Sequence, residues 1–431
     1  MNLLFIFTDQ QQRDALGCMG NADVDTPNLD ALAARGVLFR RAYSNNPICT
    51  PFRINLMTGQ YSCHTGCQNN QDRVPAGGPE LASALEAGGL AASYVGKWHI
   101  GATGNGPIAP DLRAGFQRFI GYQCYNGFYQ DVCFYDEAGR EHRFEKHRTD
   151  ATTDIAIGRL REIADRPFAL FVSYQAPHYP VQPAPQYADL YAGRTVTPRP
   201  NRGEVEPHTP THSPKSPRPV ENDPDYQRYG GNLDEYIRLY NAMVTQIDAN
   251  VGRLLSALDH LGVADETAIV FTSDHGDMQG SHGQVNKCLP HEESAGIPLI
   301  AFAPGGASGA VCDVPVGCVD LFPTCLDLAG LAPDRPPTDG GSLAAAIRGT
   351  GELDPSRPAF SERPQWCMVV QNGWKLVADR DEEMNLTPTM LFDLDDDPHE
   401  LTNRIADPAE APRAEALLAR LTEWQTTCRA G

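Results

Sequence analysis

Residues 49–53 read Cys-Thr-Pro-Phe-Arg and bring a small nucleophile close to a fixed positive charge. Pro51 suits the first turn of a helix, where its missing N–H has no partner to lose, so Cys49 is predicted to lie at a helix start among free N–H groups. Arg53, one turn further on, cannot give up its charge and adds to the positive end of the helix dipole. The stretch therefore predicts an anion site with a nucleophile, although by itself it also fits a buried cysteine on a capped helix.

Further ionisable side chains come directly after apolar runs. Largely apolar segments at 3–7, 91–95, 168–172 and 268–272 are typical of parallel strands that are covered on both faces. The carboxyl ends of such strands meet at one edge of a sheet. The side chains that follow these runs are Asp9, Lys97, His99, His178 and Asp274. We therefore expect one polar site at that edge.

Strands alternate with helical segments over most of the chain, which favours an α/β fold with a large, mostly parallel sheet sandwiched by helices. A further strand is predicted over 37–43, ahead of the Cys49 loop. Helices are predicted over 27–35, 81–87, 153–164 and 233–261. The segment from 180 to about 231 is rich in proline and has no hydrophobic period, so we expect an irregular excursion of the kind that forms lids and binding loops.

The pattern changes towards the C-terminus. Short apolar runs are separated by turns such as Asn-Gly at 372–373, which is typical of hairpins, and a last helix is predicted over 412–426. We expect a large α/β domain over 1–354 and a small subdomain over 355–431, made of an antiparallel sheet and one helix. If the chain forms a homo-oligomer, this C-terminal segment is the expected interface.

Composition narrows the range of partners. The formal net charge of −20 argues against nucleic acid and anionic membranes, because phosphate binding needs clustered lysine and arginine. No apolar run reaches membrane-spanning length and no charged segment with a cleavage site precedes the first strand, so we expect a cytoplasmic protein without membrane contact.

The 12 cysteines are scattered, which favours reduced, buried thiols over a disulfide framework. Cys63, His64 and Cys67 have no second pair at zinc-site spacing, so no structural zinc is predicted.

Several motifs carry a family resemblance. Cys-x-Pro-x-Arg at 49–53, followed by Leu-x-Thr-Gly at 56–59, resembles the signature of the sulfatase family. Gly-Lys-Trp-His-Ile-Gly at 96–101 resembles the second family signature, and the segments around His178 and Asp274 follow in the family order. The resemblance covers nearly the whole chain and implies the fold of the alkaline phosphatase superfamily. It also implies that a formylglycine-generating enzyme oxidises the signature cysteine to an aldehyde, whose hydrate offers one hydroxyl to attack sulfur and another to expel sulfate.

The resemblance implies a metal site. In sulfatases, the positions that match Asp9, Gln10, Asp274 and His275 hold one divalent cation, and formylglycine from Cys49 completes the shell. Many members have a second aspartate in place of Gln10 and an asparagine in place of His275. The motif Asp-His-Gly-Asp-Met at 274–278, with Gly-Ser-His-Gly at 280–283, resembles the choline sulfatase and phosphonate monoester hydrolase branch. Because an imidazole makes the site less hard, manganese becomes a second expectation after calcium.

The resemblance also implies roles around the sulfate. The lysine that matches Lys97 holds the formylglycine and a substrate oxygen, and the histidine that matches His99 is the base that frees sulfate. His178 matches the histidine that touches the sulfate, and Lys287 matches the lysine that stabilises or protonates the leaving oxygen. Arg53 would brace the hydrated aldehyde.

The implied activity is hydrolysis of small or aryl sulfate monoesters. Two alternatives stay open: a phosphonate monoester or phosphodiester hydrolase with the same nucleophile, suggested by Gln10 and His275, and a non-catalytic binding protein, expected if Cys49 is never oxidised. By its position in the same branch, the resemblance implies Asn70 as a further donor to substrate oxygens. The leaving group would be recognised by the excursion over 180–231 and by aromatic side chains. The aromatic candidates are Tyr122, Tyr125, Phe128 and Tyr129.

Overall fold

The structure, a computed structural model, describes residues 1–203, 218–219, 231–331 and 336–430. The described strands are β1 (Asn2–Asp9), β2 (Val37–Phe39), β3 (Ala42–Tyr43), β4 (Ala91–Lys97), β5 (Arg118–Tyr122), β6 (Cys133–Tyr135), β7 (Glu141–Arg143), β8 (Phe168–Pro177), β9 (Arg218–Pro219), β10 (Thr267–Ser273), β11 (Gln284–Val285), β12 (Gly296–Ile297), β13 (Leu299–Phe302), β14 (Ala310–Cys312), β15 (Val316–Gly317), β16 (Ala359–Arg363), β17 (Trp366–Gln371), β18 (Trp374–Arg380) and β19 (Leu386–Asp393). The described α-helices are α1 (Pro27–Arg35), α2 (Cys49–Thr58), α3 (Ser62–Thr65), α4 (Leu81–Ala87), α5 (Arg148–Ile163), α6 (Pro185–Tyr191), α7 (Leu233–Leu261), α8 (Glu292–Ala295), α9 (Leu321–Ala329), α10 (Ala344–Arg348) and α11 (Ala411–Ala430).

Ten of the described strands form one mixed sheet in the order β14-β2-β13-β10-β1-β8-β4-β5-β6-β7. The five central strands, β10-β1-β8-β4-β5, are parallel to one another. Antiparallel pairing enters on one flank at β13 and on the other at β6 and β7. The parallel centre brings the carboxyl ends of β1, β4, β8 and β10 to the same edge, as the apolar runs predict.

Both faces of the sheet are buried, which explains why its central strands are predominantly apolar. In β1, Phe5 and Phe7 pack on one face against α2, α4, α9 and α10. Leu4 and Ile6 point to the other face and pack against α1, α5 and α7. This arrangement confirms the predicted α/β sandwich. Because helices cover both faces of these strands, the strand sequences are mostly apolar and do not alternate with polar residues.

Two predicted elements differ from the structure in their extent. The predicted strand over 37–43 is divided: β2 joins the large sheet, whereas β3 pairs with β12 and β15 in a three-stranded sheet. The charged side chains of Arg40 and Arg41 end the apolar run and pair with Asp313 and Asp395. Helix α5 starts at Arg148 instead of 153, because the side chain of His147 accepts a hydrogen bond from the Thr149 N–H and caps it.

The excursion predicted over 180–231 contains a short helix, α6, so it is not irregular throughout. Much of this segment, 204–217 and 220–230, lies outside the described residues.

At the C-terminus, β16, β17, β18 and β19 form an antiparallel sheet, and α11 packs against it. The hairpin pattern and the last helix are thus confirmed, while β16 is a strand that the sequence pattern did not reveal. The proposed domain boundary after residue 354 precedes β16 and stays a prediction. Among the described residues, no helix combines the length and apolar character needed to cross a bilayer.

One disulfide contradicts the prediction that the thiols are reduced. Cys63 in α3 is bonded to Cys428 in α11, and the other ten cysteines are free. The two partners are separated by 365 residues, so they meet only when the C-terminal subdomain packs beside α3. The spacing of the cysteines carries no trace of such a contact.

Candidate active site

Helix α2 begins at Cys49, as its Pro51 predicts. The residue before it, Ile48, has an apolar side chain that cannot cap the helix, so the free backbone N–H groups of the first turn need another acceptor. Asn70 provides this contact: its Oδ1 accepts the Thr50 N–H at 3.2 Å. Asn70 also borders the cavity above Cys49, which is compatible with the predicted contact to substrate.

A compact group of ligand atoms surrounds the sulfur of Cys49. Single ligand atoms of Asp9, Cys49, Asp274 and His275 all lie within 4.8 Å of one another, and all four residues are buried. The Cys49 Sγ is 3.3 Å from His275 Nε2 and 3.6 Å from Asp9 Oδ1. His275 Nδ1 lies 3.0 Å from the Gly276 carbonyl oxygen, which assigns the proton to Nδ1 and leaves the Nε2 lone pair facing the group.

This donor set fits one divalent cation. Two carboxylates and a neutral imidazole nitrogen are ligands that calcium, manganese and zinc accept to different degrees, and an oxygen at position 49 would add a further ligand. Gln10 lies beside the group: its backbone N–H donates to Asp274 Oδ1 at 3.0 Å. Its side-chain Oε1 accepts a hydrogen bond from Lys287 Nζ at 2.9 Å.

Arg53 contacts both carboxylates of the group, those of Asp9 and Asp274. Its NH2 nitrogen lies 3.1 Å from Asp274 Oδ2 and 3.5 Å from Asp9 Oδ2, and its NH1 donates to the Lys97 carbonyl oxygen. The Lys97 ammonium also pairs with Asp9. Burial by itself would raise the pKa of the Asp9 carboxyl, but Lys97, together with the further positive groups around it, keeps that pKa well below its usual range. The structure therefore shows Arg53 bound to predicted metal ligands.

Lys287 and His178 also lie close to Cys49. Lys287 Nζ is 3.7 Å from Cys49 Sγ and 3.0 Å from His178 Nε2. His178 Nδ1 is 2.7 Å from the Tyr179 carbonyl oxygen and is assigned as its donor, so Nε2 is free to accept from the ammonium. Burial, followed by the charge of Lys287, holds the pKa of His178 well below its usual value. With His178 neutral and accepting from the ammonium, Lys287 is the donor that this pair offers to an anionic oxygen.

His99 is the most isolated of the predicted catalytic groups. It is 4% exposed, and among the described residues neither of its ring nitrogens has a hydrogen-bond partner. Burial, then the charges of Lys97 and Arg53, lowers its pKa well below the usual value. The ring is thus a neutral base that is ready to accept a proton.

A cavity of about 490 Å³ opens above these groups. Of the predicted aromatic residues, Tyr125 lines the cavity, whereas Tyr122 is buried under the Arg148 guanidinium and Phe128 stacks on His147. Tyr129 is 47% exposed. The sequence analysis missed further lining residues, for which no motif provides a signal. These include Thr103, Cys124, Asn126 and Tyr179.

Residues 1–331 match the protein-family model described as Sulfatase. The chain belongs to the sulfatase family. It is 30% identical over 459 residues to the choline-sulfatase of Rhizobium meliloti, with 98% of this chain and 85% of the relative covered. It is 29% identical over 436 residues to the ulvan-active sulfatase of Formosa agariphila, with 98% of this chain and 80% of the relative covered. The phosphonate monoester hydrolase of Agrobacterium radiobacter has a similar fold, with a TM-score of 0.77, 24% identity and coverage of 99% of this chain and 96% of that structure.

These comparisons confirm the predicted family and the alkaline phosphatase-like fold. The structure brings ten of the eleven predicted site residues into one group at the carboxyl edge of the parallel strands, and the eleventh, Asn70, caps the helix of the sulfatase signature. The role of each residue stays a prediction, because proximity alone assigns no chemical step.

Proposed function

We propose that this sulfatase hydrolyses small or aryl sulfate monoesters through a formylglycine hydrate formed from Cys49 by a formylglycine-generating enzyme. The observation that carries the proposal is that Cys49 contacts two kinds of group. Its sulfur lies 3.3 Å from His275 Nε2 and 3.6 Å from Asp9 Oδ1, and it also lies 3.7 Å from the Lys287 ammonium. A group at this position can face a cation and a substrate oxygen at once.

The charges of the site suit a sulfate ester. Arg53, Lys97 and Lys287 bring three positive charges to a site with the two carboxylates of Asp9 and Asp274. A divalent cation held by the carboxylates, His275 and position 49, with Gln10 beside them, would add positive charge and orient the nucleophile. We expect calcium first and manganese next.

The side chains around the cavity then divide the work of the reaction. Lys97 binds the non-bridging oxygens of the sulfate, and His178 orients the Lys287 ammonium. One hydroxyl at position 49 attacks sulfur and forms a new O–S bond while the S–O bond to the alcohol breaks, and Lys287 stabilises or protonates the leaving oxygen. His99 takes the proton from the second hydroxyl at position 49, so that sulfate leaves and the aldehyde forms again. Water then hydrates the aldehyde. The sum is one ester and one water converted to one alcohol and one sulfate.

The intact mass of the tryptic peptide that contains Cys49 tests this proposal. Protein should be produced with and without a formylglycine-generating enzyme, and both preparations should be assayed on an aryl sulfate. We expect the peptide to lose about 18 Da on conversion, with activity proportional to the converted fraction. Full activity from protein whose peptide carries unmodified cysteine would contradict the proposal.

A phosphonate monoester or phosphodiester hydrolase is the second candidate, and the observation that favours it is the pair Gln10 and His275 at the metal site. The printed names of the two similar curated proteins, choline-sulfatase and ulvan-active sulfatase, support the sulfate ester. We expect the ratio of kcat/KM for aryl sulfate and aryl phosphonate with the same phenol to exceed one. A ratio below one would assign the phosphonate ester as the better substrate.

A further inference from the structure

Gln10 brings an asymmetric side chain to the predicted cation site. A carboxylate presents an oxygen whichever way it is turned, whereas an amide presents either an oxygen or an NH2 group. An NH2 group turned towards a divalent cation and the Lys287 ammonium would meet positive charge with positive charge. The site therefore requires a neighbour that fixes the orientation of the Gln10 amide.

Asp277 is in the right place to fix that orientation. Gln10 Nε2 donates to Asp277 Oδ2 at 2.9 Å, and it is 3.3 Å from Asn286 Oδ1. The other end of the amide, Oε1, accepts from Lys287 Nζ at 2.9 Å. Asp277 is fully buried. An ionised carboxylate can only accept hydrogen bonds, so it can pair with the NH2 end of the amide and not with its oxygen.

Asp277 is itself held by donors on both of its oxygens. Oδ1 accepts the backbone N–H groups of Gln279 at 3.2 Å and Asn286 at 3.1 Å. Oδ2 accepts the Tyr236 hydroxyl at 2.7 Å in addition to Gln10 Nε2. Because donors face both oxygens, an asparagine at this position cannot satisfy both sides.

We propose that Asp277 is a positioning residue that turns the Gln10 amide so that its oxygen faces Lys287 and the cation site. It touches neither substrate nor the reacting atoms and acts through Gln10. The proposal rests on the proposed function for the existence of the cation site. The proposal goes beyond the proposed function because it explains how an amide can occupy a position where many family members have a symmetric carboxylate.

The variant Asp277→Asn should reverse the amide of Gln10. The oxygen of the new asparagine side chain is expected to stay on the two backbone N–H groups, so that the asparagine NH2 group faces Gln10. The Gln10 amide then has to turn over to accept from this NH2 group, and its own NH2 group comes to face Lys287 and the cation. We expect the affinity for Mn²⁺ to fall about 10–100-fold, which is the usual size of the effect when the partner of a ligand is changed.

Mn²⁺ titration by calorimetry, on the full chain without substrate, tests the proposal, with circular dichroism to check the fold. Tyr236→Phe is the matched control, since it removes one donor from the same carboxylate oxygen and leaves the acceptor for Gln10 in place. We expect its Mn²⁺ affinity to change less than about threefold. Equal affinities of the wild type and Asp277→Asn would overturn the proposal.

A second change at position 10 separates orientation from a general structural role. In the double variant Asp277→Asn/Gln10→Glu, a carboxylate at position 10 can accept from the asparagine NH2 with one oxygen and face Lys287 with the other. We expect this variant to recover most of the lost Mn²⁺ affinity, which a merely structural role of Asp277 would not produce. Failure of Gln10→Glu to rescue Asp277→Asn would overturn the proposal.

Gln10→Glu alone keeps the test decisive even if Asp277→Asn does not fold. It places two carboxylates against each other at positions 10 and 277, so we expect weaker Mn²⁺ binding than in the wild type despite the added negative charge. Tighter binding would show that Asp277 does not determine how residue 10 is presented. Because the readout is cation affinity, the result stands apart from the outcome of the sulfatase assays.

Discussion

Replacing Cys49 with alanine is expected to lower kcat for an aryl sulfate by at least about 10⁴-fold in a preparation whose wild-type peptide carries the aldehyde. The structure gives the reason: the sulfur lies close both to the predicted metal ligands Asp9 and His275 and to the Lys287 ammonium, so a nucleophile at position 49 can reach a substrate held by positive charge. Activity is measured as release of the phenol at saturating ester, after the enzyme has been loaded with calcium or manganese.

Cys67→Ala is the control for this loss. Cys67 is also a buried, free thiol, and its sulfur contacts the carbonyl oxygens of Thr65 and Arg73 instead of site residues. We expect both alanine variants to lose little stability, below about 2 kcal/mol in the free energy of unfolding, since each changes only one small side chain. A Cys49→Ala protein that still hydrolyses the ester at the wild-type rate would exclude position 49 as the nucleophile and turn attention to a cation-activated water.

The main elements of the site could be predicted from sequence because they depend on local patterns. A continuous apolar run identifies a strand covered on both faces, and the first polar residue after it marks the carboxyl edge of the sheet. Asp9, Lys97 and Asp274 were found in this way, and β1, β4 and β10 place them as expected. The helix start at Cys49 was equally local, since Pro51 restricts its own turn.

The contacts that hold those residues in place could not be predicted, because they join distant parts of the chain. Asp277 lies three residues after Asp274, but its role depends on the position of Gln10, which directly follows the neighbouring strand β1. The bond between Cys63 and Cys428 depends on the packing of the last helix. A periodic pattern records which face of an element is buried, not which element covers it.

The aromatic candidates show the same limit. Four ring-bearing residues were proposed to recognise the leaving group, and Tyr125 is the one that lines the cavity. Tyr122 instead covers the guanidinium of Arg148, the first residue of α5, which donates to the backbone carbonyl oxygens of Gly127, Asp131 and Cys133. An aromatic side chain looks the same in sequence whether it binds a ligand or shields a buried charge.

His99→Ala is expected to lower kcat about 10²–10⁴-fold, with a smaller change in KM, because the variant loses a base and not a contact that binds the ester. In the proposed cycle the alcohol leaves before His99 acts. Rapid-quench measurement should therefore show a burst of about one alcohol per active site, followed by slow release of sulfate. His64→Ala is the matched control, since this histidine pairs with Asp339 and lies partly exposed, away from the lining of the cavity.

The pH dependence provides an independent readout of the same residue. Burial, then Lys97 and Arg53, lowers the pKa of His99, and a bound cation would lower it further by the same electrostatic effect. The neutral, active form should thus persist as the pH falls below about 6.5, the usual pKa of histidine, and the rate should decline at more acidic pH as the ring gains its proton. We expect this acidic limb in the wild type and His64→Ala and its absence in His99→Ala. An unchanged limb in His99→Ala would assign the titration to another group. An unchanged kcat would exclude His99 as the base. Among the described residues the His99 ring nitrogens have no hydrogen-bond partner, so no structural hydrogen bond accounts for the position of the ring.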